Sequence, residues 1–246
     1  MRSRALVSLL ALLSLPLVGA DCSTDPTDPP VVVFAAASLT EAFEEILTAT
    51  DRDPGTSVTF NFGSSSDLAR SIEDGSPAEV FASADELTMD GLVEQGLVED
   101  VQIFATNRLA IAVELDNPQD IHDLEDLDGD VALALCAPEV PCGRYAREVL
   151  DRAGVDIEPR SLEPDVKAVL TRVALGEVDA GIVYESDVMA SDDVSGVSIP
   201  DDVNVVASYP IALVGSGSGD AARAFYELVL SKRGSDILER HGFDAP

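Results

Sequence analysis

Short apolar segments alternate along this chain with stretches whose apolar residues recur at helical spacing. The segment VVVFAA at 31–36 is typical of a buried strand, and the apolar residues after it recur every three or four positions. Strand-like segments that fit this scheme follow at 57–62, 78–83, 108–114, 130–135, 180–185 and 203–214. Alternation of strands and helices predicts α/β layers with mostly parallel sheets.

The length and charge of the chain restrict the classes of function that it can serve. Its 246 residues predict one or two domains with a buried core. Forty-six acidic residues against 15 Lys and Arg give a formal net charge of −31. Because binding to phosphate backbones needs clustered basic residues, this composition argues against nucleic acid and anionic lipid as partners. We expect the acidic residues to form a solvated surface.

The first thirty residues indicate export from the cytoplasm. A basic start and an apolar run ending in VGA predict a signal peptide at 1–20, because the run is short for a membrane span. Residues 21–30, DCSTDPTDPP, are predicted to form a disordered tether. Cys22 has two interpretations, a site of lipid attachment or a lone cysteine in a freely secreted protein. Either way, we expect the mature protein to work outside the cytoplasmic membrane.

The other two cysteines lie six positions apart in CAPEVPC. In an oxidising compartment we expect a disulfide between Cys136 and Cys142. A zinc site is the alternative, but it needs further ligands. The two histidines, His122 and His241, lie in acidic and terminal sequence.

Four predicted junctions between a strand and a helix are rich in hydrogen-bond donors. They contain Ser38, the serines at 64–66, the PCG at 141–143 and the EPDV at 163–166. The first N–H groups of a helix are unpaired and carry a partial positive charge, so such starts bind anions without a counter-charge. The alternative is that each junction is only the N-cap of its own helix, as Ser38 would be in a capping box with Glu41. Together the junctions predict one anion-binding crevice at the strand ends.

The sequence shows none of the residue arrangements that are typical of a catalytic site. Both histidines lie outside the predicted crevice, which argues against a Ser-His-Asp triad. The sequence has no Gly-rich nucleotide loop and no cluster with metal-ligand spacing. We therefore expect a binding protein that is not an enzyme and that has no cofactor.

Five segments resemble the periplasmic molybdate-binding proteins of ABC transporters, the ModA family. They are VVVFAAASLTEAFEEI, FNFGSSSDLARSIEDGSPAEVFASAD, PEVPCGRYAREVL, DVKAVLTRVALGEVDAGIVYESDV and AFYELVLSKRGSDILERHGF. The resemblance implies a two-lobe periplasmic binding protein fold of type II. Each lobe would be a mainly parallel sheet flanked by helices, with the ligand in the cleft. The expected lobes are 31–108 plus 209–246, and 109–208.

The resemblance also implies a set of ligand-binding residues. Two serines of one lobe, Ser38 and Ser65, would contribute backbone and hydroxyl donors. The other lobe would contribute the N–H groups of Cys142 and Val166 and the hydroxyl of Tyr184. Molybdenum would be bound by these residues only as its oxyanion.

The acidic Asp67 complicates this predicted site. A carboxylate beside an anion repels it unless the side chain points away, or it accepts a proton and favours a protonated anion such as hydrogen phosphate. Otherwise Asp67 is a first-turn residue that stabilises the helix dipole.

The resemblance implies capture of molybdate, and also tungstate, by a monomer. The anion would then pass to a membrane permease driven by an ATPase. A neutral donor shell suits fully deprotonated anions, because the O–H of hydrogen phosphate would stay unpaired. Binding of sulfate or another tetrahedral oxyanion is the alternative. An enzyme on the same scaffold, and an anion sensor or adhesion module, remain as functions of other classes.

Overall fold

The structure, a computed structural model, describes residues 30–49, 57–215 and 219–246 as a central sheet flanked by helices. The strands are β1 (Val31–Ala36), β2 (Val58–Gly63), β3 (Val80–Ala82), β4 (Val98–Glu114), β5 (Leu133–Cys136), β6 (Ser161–Glu163), β7 (Ala180–Tyr184), β8 (Val194–Ser198) and β9 (Val206–Val214). The helices are α1 (Thr40–Thr48), α2 (Ser65–Glu73), α3 (Glu86–Glu94), α4 (Pro141–Ala153), α5 (Val166–Ala174), α6 (Glu185–Met189), α7 (Asp220–Leu230) and α8 (Lys232–Arg240). The α/β layering predicted from the sequence is confirmed.

The strand order is β2-β1-β3-β9-β4-β7-β5-β6, and β8 pairs with β4. We call β1, β2 and β3 with the helices that follow them the first group, and β5, β6 and β7 with theirs the second group. Within each group the paired strands are parallel. The two strands between the groups, β4 and β9, are antiparallel to each other and to the group strands that they pair with.

The two groups are joined by β4 and β9. The first part of β4 pairs with β9, from Val98 opposite Val214 to Arg108 opposite Val206, and its last part pairs with β7 and β8. The chain thus passes between the groups along two adjacent strands. The lobe boundaries at 108/109 and 208/209 stay a prediction.

Some predicted elements differ from the structure. The sequence predicts only the end of β4, because 98–107 mixes polar and apolar residues without a continuous apolar run. The weak helical pattern within 116–130 forms only a 3-10 turn at Glu125–Leu127. The short elements β6, β8 and α6 were not predicted, since three to five residues carry too little periodicity.

An aromatic cluster fixes α1 on the sheet. The ring of Phe43 lies 5.7 Å from that of Phe225, 5.9 Å from Phe104 and 6.2 Å from Phe60. Phe43 is fully buried, as are its helix neighbours Ala42 and Ile46. Burial of such rings contributes both apolar area and edge-to-face contacts. This packing holds the turn between β1 and α1, where Ser38 lies.

The predicted signal peptide at 1–20 and Cys22 lie outside the described residues, as does all of the predicted tether except Pro30. Within the described ranges, no helix has the length and apolar character needed to cross a bilayer.

Candidate functional site

One small cavity lies where several helices begin. Its volume is ≈ 20 Å³, more than the about 10–15 Å³ that a single water needs. All five residues of the predicted site line it, namely Ser38, Ser65, Cys142, Val166 and Tyr184. The other lining residues are Ala36, Ala37, Gly63, Ser64, Ala84, Pro141 and Asp165. The structure therefore brings the whole predicted set together.

Each of the five residues stands at the carboxyl end of a strand or at the helix start that follows. Ser38 lies in the 3-10 turn after β1, and Ser65 is the first residue of α2. Cys142 and Val166 lie in the first turns of α4 and α5, and Tyr184 ends β7. Helix geometry gives the first N–H groups no acceptor within the helix and places the positive end of the dipole there. The arrangement suits an anion.

Each of the two serine hydroxyls has a hydrogen-bond partner beside the cavity. The Oγ of Ser65 accepts a hydrogen bond from the N–H of Ala84 at 3.0 Å, so its own proton is free to face the cavity. The Oγ of Ser38 lies 2.9 Å from the Oη of Tyr209. If Tyr209 donates in this pair, the hydroxyl of Ser38 donates into the cavity as well. Both serines are buried.

The hydroxyl of Tyr184 is a buried donor without a hydrogen-bond partner among the described residues. Its side chain lines the cavity and is 1% exposed. Burial raises the pKa of Tyr184 well above its usual value, so the hydroxyl keeps its proton. An unpaired buried hydroxyl costs about 1–3 kcal/mol. An anion in the cavity would supply the missing acceptor.

Tyr209 is a member of this region that the sequence did not reveal. It is fully buried in β9, and its ring meets the ring of Tyr184 edge-on with centroids 5.8 Å apart. Burial also raises the pKa of Tyr209 well above its usual value. In the sequence, Tyr209 is only one apolar residue in a strand-like run, and it lies 171 positions from Ser38.

Helix capping does not explain the two predicted serines. The cap of α2 is Ser64, whose Oγ accepts from the N–H of Asp67 at 3.2 Å. The cap position of α1 is Leu39, and Ser38 makes no capping bond. The capping alternative is therefore wrong for Ser38 and Ser65.

The acidic residues near the cavity have partners of their own. The carboxylate of Asp67 binds Arg70 at 2.7 Å and accepts from Ser64 Oγ at 2.9 Å, and Asp67 is not one of the lining residues. Asp165 does line the cavity, which the sequence did not indicate. Its Oδ1 caps α5 by accepting from the N–H of Ala168 at 3.0 Å.

The predicted disulfide between Cys136 and Cys142 is confirmed, with an S–S distance of 2.04 Å. It ties the end of β5 to the first turn of α4, directly beside the cavity. The next residue, Gly143, packs closely on the same strand end, since an added Cβ would lie 1.9 Å from the carbonyl oxygen of Ala137. The backbone that presents the N–H of Cys142 is thus fixed by a covalent bond and by close packing.

Polar contacts join the two groups around the cavity. Ser66 Oγ donates to the carbonyl oxygen of Glu139 at 2.8 Å. Arg144, two residues after Cys142, binds the buried carboxylate of Asp85 and the Oγ1 of Thr88 at 3.2 Å. These contacts link α2 to the loop before α4, and α3 to α4.

The chemistry of the cavity is that of neutral donors. No lysine or arginine is found among the lining residues that the structure describes. The described ranges also contain no group of three His, Cys, Asp or Glu residues placed to hold a metal ion. The arrangement can enclose a small anion through hydroxyl and N–H groups.

A donor-lined cavity between two parallel strand groups, joined by adjacent crossing strands, defines the class of solute-binding proteins with the periplasmic binding fold. The chain belongs to the family of bacterial extracellular solute-binding proteins, whose pattern matches residues 31–244, and within it to the ModA proteins.

Two relatives support this placement, and one solved structure supports the fold. The molybdate-binding protein ModA of Mycobacterium tuberculosis H37Rv is 37% identical over 99% of this chain and 98% of its own length. The protein of the same name from Escherichia coli K12 is 36% identical over 87% of this chain and 88% of its own. The periplasmic molybdate-binding protein of Azotobacter vinelandii superposes with a TM-score of 0.78, covering 88% of this chain and 99% of that one. At 22% identity, this last likeness shows the fold alone.

Proposed function

We propose that this chain is an extracytoplasmic solute-binding protein that captures molybdate, and also tungstate, and delivers the anion to an ABC transporter. The observation that carries the proposal is the meeting of five donor-bearing residues around one cavity, with no basic side chain among the lining residues that the structure describes. The full-length similarity to proteins named for molybdate binding supports the choice of anion.

In this proposal the anion is held by three hydroxyls and at least two backbone N–H groups. The hydroxyls belong to Ser38, Ser65 and Tyr184, and the N–H groups to Cys142 and Val166. A fully deprotonated oxyanion accepts from all of them, and hydrogen bonds to a charged group are worth about 1.5–3 kcal/mol each. Hydrogen phosphate would also need an acceptor for its O–H.

Each strand group would supply only part of the donor shell. Ser38 and Ser65 follow strands of the first group, whereas Cys142, Val166 and Tyr184 belong to the second. We infer two lobes, 31–108 plus 209–246 and 109–208, that move about β4 and β9. An anion that binds both lobes favours their closed arrangement, because only that arrangement offers every donor.

The remaining steps of transport follow from this role. The closed, loaded monomer would dock on a membrane permease driven by a cytoplasmic ATPase, without covalent chemistry, so the chain would not be an enzyme. The signal peptide at 1–20 would direct export to the periplasm or the outer face of the membrane. Lipid attachment at Cys22 would keep the protein there.

Calorimetric titration of the mature chain with molybdate, tungstate, sulfate and phosphate at fixed salt tests the proposal. We expect one-to-one binding of molybdate and tungstate that a Ser38→Ala/Ser65→Ala variant loses. Ser71→Ala is the matched control, because its Oγ bonds within α2 to the carbonyl oxygen of Asp67 at 2.9 Å. Heat with sulfate or phosphate alone would keep the fold and overturn the ligand, and no heat with any anion would overturn the function.

A further inference from the structure

Lys167 joins two carboxylates that come from different strand groups. Its Nζ donates to both oxygens of Glu41, at 2.9 and 2.8 Å, and lies 3.3 Å from Oδ1 of Asp187. Burial lowers the pKa of Lys167, but Asp187 and Glu41 outweigh this effect and raise the pKa above its usual value. Lys167 therefore carries a positive charge between two negative ones.

Each member of this ion triad, Glu41, Lys167 and Asp187, is close in sequence to a residue of the cavity. Glu41 follows Ser38 by three positions, and Lys167 comes directly after Val166. Asp187 follows Tyr184 by three positions, and its Oδ2 accepts the N–H of Tyr184 at 3.2 Å. The ion triad is thus connected through short stretches of backbone to three of the five donors.

The two arms of the ion triad differ in what they connect. Lys167 and Asp187 lie on α5 and α6, which both belong to the second group. Glu41 lies on α1, in the first group. The carboxylate of Asp187 is fully buried, whereas the side chain of Glu41 is 39% exposed. A buried carboxylate that loses its cation is left as an uncompensated charge, which is strongly destabilising. A half-exposed carboxylate that loses its cation is instead solvated by water.

We propose that Lys167 is a positioning residue whose bond to Glu41 holds the cavity closed and thereby sets the rate at which the anion leaves. The proposal rests on the function proposed above. When the groups separate, Lys167 stays on Asp187 and only the bond to Glu41 breaks. An interaction made in the closed arrangement alone slows dissociation and leaves association nearly unchanged.

Stopped-flow measurement of molybdate binding by the mature chain tests this assignment. The chain has no tryptophan and four tyrosines, so intrinsic tyrosine fluorescence reports on the surroundings of Tyr184 and Tyr209. We expect Glu41→Gln to raise the dissociation rate about two- to fivefold, the effect of one partly exposed ion pair. The association rate and the melting temperature of the ligand-free protein should stay as in the wild type.

Glu44→Gln is the matched control, because it removes the same charge from an exposed position on the same helix. Lys167→Met should release the anion faster and also destabilise the fold, because it leaves Asp187 buried without its cation. Lys232→Met removes the only other lysine, at an exposed site, and should do neither.

The outcomes separate this proposal from the one on which it rests. If the wild type binds molybdate and Glu41→Gln releases it at the wild-type rate, the role of Lys167 is overturned while the binding function stands. An equal rise in dissociation rate in Glu44→Gln would also overturn it, since the effect would then be one of net charge. If the wild type binds none of the four anions, both proposals fail.

Discussion

Removing the hydroxyl of Tyr184 should weaken anion binding without lowering the stability of the ligand-free protein. The Tyr184→Phe substitution removes one oxygen atom and keeps the ring, which packs edge-on against Tyr209. In the described structure this oxygen is buried and has no hydrogen-bond partner. Its loss therefore removes no protein–protein hydrogen bond.

The magnitudes follow from that environment. Removing an unpaired buried hydroxyl relieves a cost of up to about 1–3 kcal/mol, less whatever a water in the cavity restores. We therefore expect the free energy of unfolding of the ligand-free variant to equal or exceed that of the wild type. A hydrogen bond to an anion is worth about 1.5–3 kcal/mol, so the Kd for molybdate should rise by about 10- to 150-fold.

Urea unfolding without ligand and calorimetric titration with molybdate measure the two effects. Tyr209→Phe is the matched comparison, because Tyr209 Oη bonds Ser38 Oγ at 2.9 Å and its loss should lower both stability and affinity. A Tyr184→Phe protein that is less stable than the wild type and binds molybdate equally well would refute this reasoning, because the hydroxyl would then serve the fold rather than the ligand.

Three further predictions concern groups around the cavity. Burial raises the pKa of Asp187 from 3.8 to about 6. Because the folded protein then holds this proton more tightly than the unfolded chain does, the free energy of unfolding should fall as the pH rises from about 4 to 6. Urea unfolding should show the wild type losing about 3 kcal/mol relative to Asp187→Asn over that range. The Cys136→Ala/Cys142→Ala variant should lose about 2 kcal/mol of stability, because the short loop that the disulfide closes is opened. Calorimetry should show weaker binding of molybdate. Unchanged affinity would show that the disulfide is not needed to position the N–H of Cys142. Gly143→Ala should abolish binding while circular dichroism still shows a folded chain, because its Cβ would collide with the carbonyl of Ala137; wild-type affinity would contradict this.

The cavity residues could be predicted because each lies in a short local pattern. Ser38 and Ser65 follow strand-like segments and precede helical ones, and strand ends in such sheets meet at one edge. The family resemblance then selected particular positions among several donors, Ser65 rather than Ser64 being one example. Local pattern and resemblance together were enough to assemble the set around the cavity.

Contacts between distant segments could not be predicted in this way. The partner of Ser38 is Tyr209, on a strand that enters the sheet from the far end of the chain. Likewise, Glu41 would be assigned to a capping box from its spacing, yet it binds Lys167 instead, 126 positions away. Residue spacing along the sequence predicts contacts within one helix. The partners named here are brought together by the tertiary fold, in which the strand groups pair with β4 and β9.

The most direct test of the proposed site is to locate the anion. Crystals of the mature chain grown with molybdate should give one strong anomalous peak from molybdenum inside the cavity. The peak should lie among the hydroxyls of Ser38, Ser65 and Tyr184 and the N–H groups of Cys142 and Val166, with oxygens at hydrogen-bond distance from them. A peak elsewhere on the protein, or no peak at a molybdate concentration that saturates binding in solution, would contradict the account.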